Sequence, residues 1–182
     1  GPNPVMKTPV FKQFNEKGIQ YIVAESTEIP VVSVVMTFPG GRLAEFKDPS
    51  KAGMVRLFTR MMEEDTKSKT SEQMTMELDK LGSSISIGAD LDEITISVRC
   101  LKQNFQQTMA LLRERLTAPL FKEETFNRIK NETMESIKNS KSRAANMASL
   151  AYNKVLFGTY ILGVSQTGTL STLKNIQLSD ME

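Results

Sequence analysis

Apolar and polar residues follow two periods along this chain of 182 residues. Segments 18–24 (GIQYIVA) and 31–38 (VVSVVMTF) are rich in β-branched residues, and segments 84–88 and 93–101 alternate, which is typical of strands. Apolar residues recur at helical spacing in 52–64, 104–116 and 122–140, and 144–157 adds a helix with small residues that allow close packing.

Turn and cap residues mark where these elements begin and end. STEIP, between the first two strands, predicts a hairpin of 18–24 with 31–38, and PGGR at 39–42 reads as a turn because it lacks the spacing of a phosphate-binding loop. Thr70 and Gln73 predict a capping box that opens another helix, and Gly82 fits its C-terminal cap. The predicted order, β-β-α-α-β-β-α-α-α, favours an α+β fold with helices layered on one antiparallel or mixed sheet.

The two ends of the chain differ from its middle. Residues 1–9 contain three prolines and predict a linker or extended N-terminal segment, so we expect residues 10–182 to form a single domain. Ser179 is followed three residues later by Glu182, which is a helix-start signature with no helix after it. We therefore expect the domain to be truncated at its C-terminus.

Composition excludes several classes of partner. The net charge is only +2 and the lysines are spread along the chain, whereas nucleic-acid binding needs a concentrated basic surface. No apolar run approaches the roughly 18 residues that a membrane span requires. The single cysteine, Cys100, lies in an alternating segment and is expected to be a buried strand residue.

Histidine is absent, which removes the usual general base at neutral pH and the commonest zinc ligand. Asp90 and Asp92 stand close together, but the segment lacks the glycine and glutamate of a calcium-binding EF-hand loop. We therefore expect no catalytic, cofactor-binding or metal-ligating residue in this chain.

The helix 52–64 carries an unusual polar face. Met54, Val55, Phe58, Met61 and Met62 fall on one predicted stripe, which leaves three polar residues together on the opposite face: Arg56, Thr59 and Arg60. The two arginines are four residues apart, where like charges repel by a few tenths of a kcal/mol. This face could be solvated, or it could contact an anion or another domain.

Several stretches together resemble one family. PGGRLAE, SKAGMVRLFTRMMEEDTKSKTSEQMTMELDKLGSSIS, LTAPLFKEETFNRIK and LFG…TGT are similar, in this order, to the amino-terminal domain of the pitrilysin and mitochondrial-processing-peptidase family of insulinase-like zinc peptidases. The resemblance runs from about residue 10 onward. It implies the α+β fold of a metallopeptidase-like half-domain.

In active members an inverted H-x-x-E-H motif lies on the helix 52–64 and binds zinc. When the segments are aligned on KAG, the two histidines of the motif correspond to Arg56 and Arg60, and its glutamate corresponds to Thr59. A further zinc-binding glutamate on a later helix corresponds to Ser136, or to the adjacent Glu135 if the alignment shifts by one residue. Guanidinium has no lone pair to donate and stays charged. The resemblance thus implies a degenerate metal motif.

The resemblance also implies a function. Such families build clamshells from a catalytic and a non-catalytic half, so we expect a non-catalytic half that helps to close a chamber around an extended peptide, with zinc only in its catalytic partner. The expected location is the bacterial periplasm or another extracytoplasmic site, or else the mitochondrial matrix. A purely structural subunit, as in respiratory-complex core proteins, and a stand-alone binding domain are the alternatives.

Overall fold

The computed structural model describes residues 10–26, 29–140 and 142–181, and the chain divides into two compact units, one up to Val31 and one from Val32. The first unit is an antiparallel hairpin of β1 (Phe11–Glu16) and β2 (Ile19–Ala24). Lys17 and Gly18 connect them with φ of 50° and 80°. Positive φ at both central residues is the geometry that two-residue hairpins favour.

This hairpin corrects the sequence analysis, which paired 18–24 with 31–38. The tight turn at Lys17–Gly18 directs β2 back onto β1, a strand that the sequence analysis missed. The next strand, β3 (Val31–Pro39), belongs to a different sheet.

That second sheet has the strand order β3-β5-β4, with β4 at Ser84–Ala89 and β5 at Glu93–Leu101. β4 and β5 are antiparallel, and both confirm segments predicted as strands. Cys100 lies in β5 and is 1% exposed, which confirms the prediction for this residue. The α+β class predicted from the sequence is confirmed, and the strand pairs β1–β2 and β4–β5 are antiparallel.

The second unit also contains helices, some of which pack against this sheet. In chain order they are α1 (Met54–Met61), α2 (Ser71–Lys80), α3 (Phe105–Thr117), α4 (Glu123–Ser140), α5 (Ala144–Phe157) and α6 (Leu170–Asn175). The first five confirm predicted helices, whereas α6 lies in a segment for which the sequence analysis predicted no helix. No helix in the described part of the chain is long and apolar enough to cross a membrane.

Local chemistry sets the ends of α2 as predicted. Thr70 Oγ1 accepts a hydrogen bond from Gln73 N at 3.2 Å, and Gln73 Oε1 accepts one from Thr70 N at 2.9 Å. At the other end Gly82 has φ of 56° and Ser83 N donates to Leu78 O at 2.9 Å. Both the capping box and the glycine cap are confirmed.

The predicted turn at 39–42 packs against the β4–β5 connection. Gly40 N and Arg42 N donate to the carbonyls of Asp92 and Asp90, each at 2.9 Å. Gly41 has φ of 64°, and a Cβ there would lie 2.6 Å from Glu93 N. Asp90 and Asp92 thus contact this segment through their backbone carbonyls.

Two apolar clusters form the core of the second unit. The first joins the sheet to α2 and α3 and includes Met74, Leu78, Ile96, Val98 and Leu112. The second joins α1, α4 and α6 and contains Leu57, Met61, Phe126, Ile129, Leu173, Ile176 and Met181. Phe58 of α1 packs against both clusters, so α1 lies where they meet.

The predictions for the chain ends have different outcomes. Residues 1–9 and Glu182 lie outside the described residues, and the assignment of 10–182 to one domain stays a prediction. Ser179 does not begin a helix, because it lies inside a short 3₁₀ helix, Leu178–Asp180, that follows Gln177. Asp180 stabilises this turn by accepting from Gln177 N at 2.8 Å.

Candidate functional site between α1 and α4

The candidate site is built on α1, and its start is held by a buried carboxylate. Glu45 is 2% exposed, and its Oε1 accepts hydrogen bonds from Gly53 N at 3.1 Å and Val55 N at 2.9 Å. Burial raises the pKa of the Glu45 carboxyl, which these backbone bonds oppose. Gly53 has φ of 98°, and a Cβ there would lie 2.8 Å from Thr167 O. The first turn of α1 is therefore fixed in position.

α1 is buried on more sides than its sequence pattern indicates. Val55 and Met61, which belong to the predicted apolar stripe, are buried as expected. Leu57 was not assigned to that stripe, yet it is 1% exposed and packs in the same cluster as Phe126 and Ile129 of α4. α4 thus covers a second side of the helix.

Thr59 is the clearest departure from the predicted polar face. It is 4% exposed, and its Oγ1 donates to Arg56 O at 3.1 Å. Of the three residues predicted to share the polar face, Thr59 is therefore buried, and a solvated face does not describe it. A threonine can satisfy its own hydroxyl against the preceding turn, so burial costs it little, whereas an arginine has no such local partner.

Arg60 links α1 to α4. Its Nη2 donates to Glu132 Oε2 at 2.7 Å, and its Nη1 donates to Thr133 Oγ1 at 3.0 Å and to Ile129 O at 3.4 Å. All three acceptors lie within little more than one turn of α4. The planar fork of the guanidinium suits such a set of acceptors.

Glu132 extends this link into a short chain of charges. Its second oxygen accepts from Arg128 Nη1 at 2.8 Å, and Arg128 Nη2 donates to Glu64 Oε1 at 2.7 Å. Hydrogen bonds from Arg128 and then from Arg60 lower the pKa of the Glu132 carboxyl. Charges thus alternate along the α1–α4 face in the order Arg60, Glu132, Arg128, Glu64.

Ser136 lies one turn beyond Glu132 and is exposed, as is its neighbour Glu135, which pairs with Lys138 at 2.5 Å. Both residues line an open groove of about 750 Å³. The other residues lining this groove are Arg128, Asn131, Glu132, Asn139, Ser140 and Arg143. Arg56 is exposed and forms no ion pair with any residue that the structure describes.

The donor set on this face does not fit a zinc ion. Guanidinium groups carry no lone pair that could bind a metal ion. The guanidinium of Arg60 already donates hydrogen bonds to α4, at the position where by resemblance a zinc ligand would lie. Glu132 is held between two arginines. Within residues 10–26, 29–140 and 142–181, no group of three acidic, cysteine or histidine side chains could hold a metal.

The sequence analysis missed the acidic and hydroxyl partners on this face. Arg128 and Glu132 are four residues apart on α4, a spacing that predicts an ion pair. The bond between Arg60 and Glu132 joins residues 72 positions apart. No local pattern in the sequence could indicate that contact.

Comparison with known proteins identifies the family of this chain. The profile of the family described as Insulinase (Peptidase family M16) matches residues 21–165. This chain belongs to that family. Its predicted resemblance to insulinase-like peptidases is therefore confirmed.

Individual relatives are distant in sequence but close in fold. The chain is 21% identical over 171 residues to a Helicobacter pylori protein named non-peptidase homolog YmxG. It matches the crystal structure of a peptidase M16 inactive domain from Pseudomonas fluorescens with a TM-score of 0.86 and 22% identity. A structure described as a protease from Helicobacter pylori matches with a TM-score of 0.82 and 15% identity.

The matches cover nearly all of this chain but less than half of each relative. The shares of this chain are 94%, 94% and 96%, and the shares of the relatives are 39%, 42% and 42%. The chain thus spans about two fifths of the length of the relatives that it matches. At these identities the structural likeness establishes the fold.

Proposed function

We propose that this chain is the non-catalytic half-domain of a peptidase clamshell, which pairs with a homologous catalytic half and helps to enclose an extended peptide. The observation that carries the proposal is the contact of Arg60 with Glu132, Thr133 and the carbonyl of Ile129. It joins α1 to α4 with a guanidinium at the position where, by resemblance, active members hold a metal. The names of two relatives, non-peptidase homolog and inactive domain, support the same assignment.

The groove along α4 supplies the surface for the peptide. Among its lining residues Asn131, Ser136, Asn139 and Ser140 offer amide and hydroxyl groups, which can both donate and accept hydrogen bonds. Every residue of an extended peptide presents one backbone N–H and one C=O, so such a lining suits a backbone whatever its side chains. The lining also holds two arginines and two glutamates, so its formal charges balance.

On this proposal the chain itself holds no zinc and cuts no peptide, and zinc belongs to the catalytic half. The first experiment measures zinc in the purified chain after dialysis, together with cleavage of an unstructured fluorescent peptide. We expect substoichiometric zinc and no cleavage. One tightly held zinc per chain, or cleavage that a chelator stops, would overturn the assignment.

The second experiment adds a homologous catalytic half. We expect the mixture to cleave the peptide faster than the catalytic half alone, and Ser136→Tyr to raise KM by filling the groove while kcat changes little. Lys80→Tyr, at an exposed position on α2, is the matched control. A catalytic half that neither binds this chain nor responds to it would favour a structural subunit or a stand-alone binding domain.

A further inference from the structure

The β1–β2 hairpin has two distinct faces, and one of them combines apolar and charged residues. Directly opposite residues share a face, and the register pairs Lys12 with Val23, Phe14 with Tyr21 and Glu16 with Ile19. The Phe14 and Tyr21 rings are stacked with their centroids 5.0 Å apart. This face, called here the Phe14 face, therefore carries an aromatic pair and two aliphatic side chains between a lysine and a glutamate.

Nothing within the hairpin buries the Phe14 face. Every residue of β1 and β2 is exposed, with Phe14 at 47%, Ile19 at 56% and Val23 at 45%. A two-stranded hairpin is marginally stable by itself, and unpaired strand edges with apolar side chains favour association. The hairpin therefore has both a surface to cover and a strand edge to pair.

The charges of β1 select its partner. Lys12 and Glu16 oppose aliphatic residues inside the hairpin and form no ion pair with any described residue. They lie symmetrically, two residues before and two residues after Phe14. An antiparallel copy of β1 centred on Phe14 would place each Lys12 opposite the other copy's Glu16.

Other registers do not give this match. A shift of one residue would join the Phe14 face of one copy to the opposite, more polar face of the other, because the side-chain period of a strand is two. A shift of two residues would put Lys12 or Glu16 opposite Phe14 and leave the charges unpaired. The symmetric register is also the one that sets Phe14 against itself.

We propose that the β1 edge is a homotypic interaction surface: two copies of this chain pair through antiparallel β1 strands centred on Phe14, giving a four-stranded sheet in the order β2-β1-β1-β2. Two Lys12–Glu16 ion pairs fix the register, and the two Phe14 faces merge into one apolar surface. The interface is isologous, so it closes at a dimer instead of growing into a fibre. The proposal is independent of the clamshell role.

Sedimentation velocity of the full chain over a range of concentrations tests the dimer. Lys12→Glu and Glu16→Lys each turn two attractive cross-strand pairs into repulsive ones, so each should raise the dimer Kd about tenfold. The double variant K12E/E16K should restore dimerisation, because it exchanges the charges and keeps their match. Added salt should weaken the wild-type dimer by screening these exposed pairs.

Crosslinking tests the register directly. Directly opposite Cα atoms in antiparallel strands are about 4.5–5.5 Å apart, which suits a disulfide. Phe14→Cys chains should therefore crosslink to one another under mild oxidation, while the native Cys100, 1% exposed, stays unreacted. Gln13→Cys is the control, because its opposite residue in this register is Asn15 and not its own copy.

A monomeric chain at all accessible concentrations would overturn the proposal. So would a dimer that is indifferent to both charge reversals, or one in which Gln13→Cys crosslinks as readily as Phe14→Cys. Far-UV circular dichroism and cooperative unfolding of each variant confirm that the second unit remains folded, so that loss of the dimer is not loss of the fold. These outcomes do not depend on zinc content or on the catalytic half.

Discussion

Replacing Thr59 by glutamate tests how α1 is oriented. By resemblance this is the position where active members carry their catalytic glutamate, so Thr59→Glu restores part of that motif. In this chain the side chain is 4% exposed and its hydroxyl donates to Arg56 O. We expect Thr59→Glu to destabilise the domain strongly, although the same change would be harmless on a solvated face.

The expected loss of unfolding free energy in Thr59→Glu follows from the added volume and the buried carboxyl. Two added heavy atoms in a packed site cost about 1–3 kcal/mol. A buried carboxyl without a partner is held neutral, and keeping it protonated at pH 7 against an ordinary pKa of about 4.3 costs at most about 3.7 kcal/mol. We therefore expect a loss of about 3–5 kcal/mol at pH 7. Burial raises the pKa of the introduced carboxyl, so the folded state binds its proton more tightly and the loss should shrink toward about 1–3 kcal/mol near pH 3.

Urea unfolding at pH 7 and at pH 3 measures the loss of unfolding free energy at each pH. Arg56→Glu is the matched control, since it introduces the same side chain at an exposed position three residues earlier on the same helix. That variant should stay within about 0.5 kcal/mol of the wild type at pH 7. If Thr59→Glu also stayed within that range, or if its effect did not depend on pH, Thr59 would face solvent and the orientation of α1 given above would be wrong.

Two further predictions concern packing and charge. Leu57→Ala should lower the free energy of unfolding in urea by about 3 kcal/mol, because it opens a cavity against Phe126 and Ile129. Arg56→Ala should lower it by less than about 0.5 kcal/mol. Equal losses would refute the packing of Leu57 against α4. Hydrogen bonds, first from Lys69, lower the pKa of Glu114 to about 2. A carboxyl whose pKa is lower in the folded state than in the unfolded state stabilises the fold at pH values above its unfolded pKa. Glu114→Gln should therefore lose about 2 kcal/mol of unfolding free energy at pH 7 and progressively less between pH 4.5 and pH 2. A loss independent of pH would contradict this role of Glu114.

Features set by neighbouring residues could be predicted from the sequence. The capping box of Thr70 and Gln73 and the left-handed Gly82 depend on residues a few positions apart, and both occur as expected. The bounds of α5 were also predicted to the residue. The same local chemistry at Lys17–Gly18 indicates a hairpin turn that competes with STEIP for the pairing of β2, and the structure pairs β2 with β1.

Features set by distant residues could not be predicted. The burial of Leu57 depends on α4, which lies more than sixty residues further along the chain. The composition of α5 indicates close helix packing, yet none of its residues is buried, and Val155 is 84% exposed. Periodicity shows which residues could share a face, but the packed neighbours decide whether that face is covered.

The bond from Arg60 to α4 has a consequence for how the domain is made. A metal that joins two helices must be captured after synthesis, and the joint is lost whenever a competing chelator removes the ion. A guanidinium is present as soon as the chain is translated and cannot be deprotonated at any physiological pH. The contacts of Arg60 with α4 can therefore form during folding without first capturing a metal ion. Ionic strength becomes the variable to which this joint responds, because its Glu132 contact is exposed to solvent.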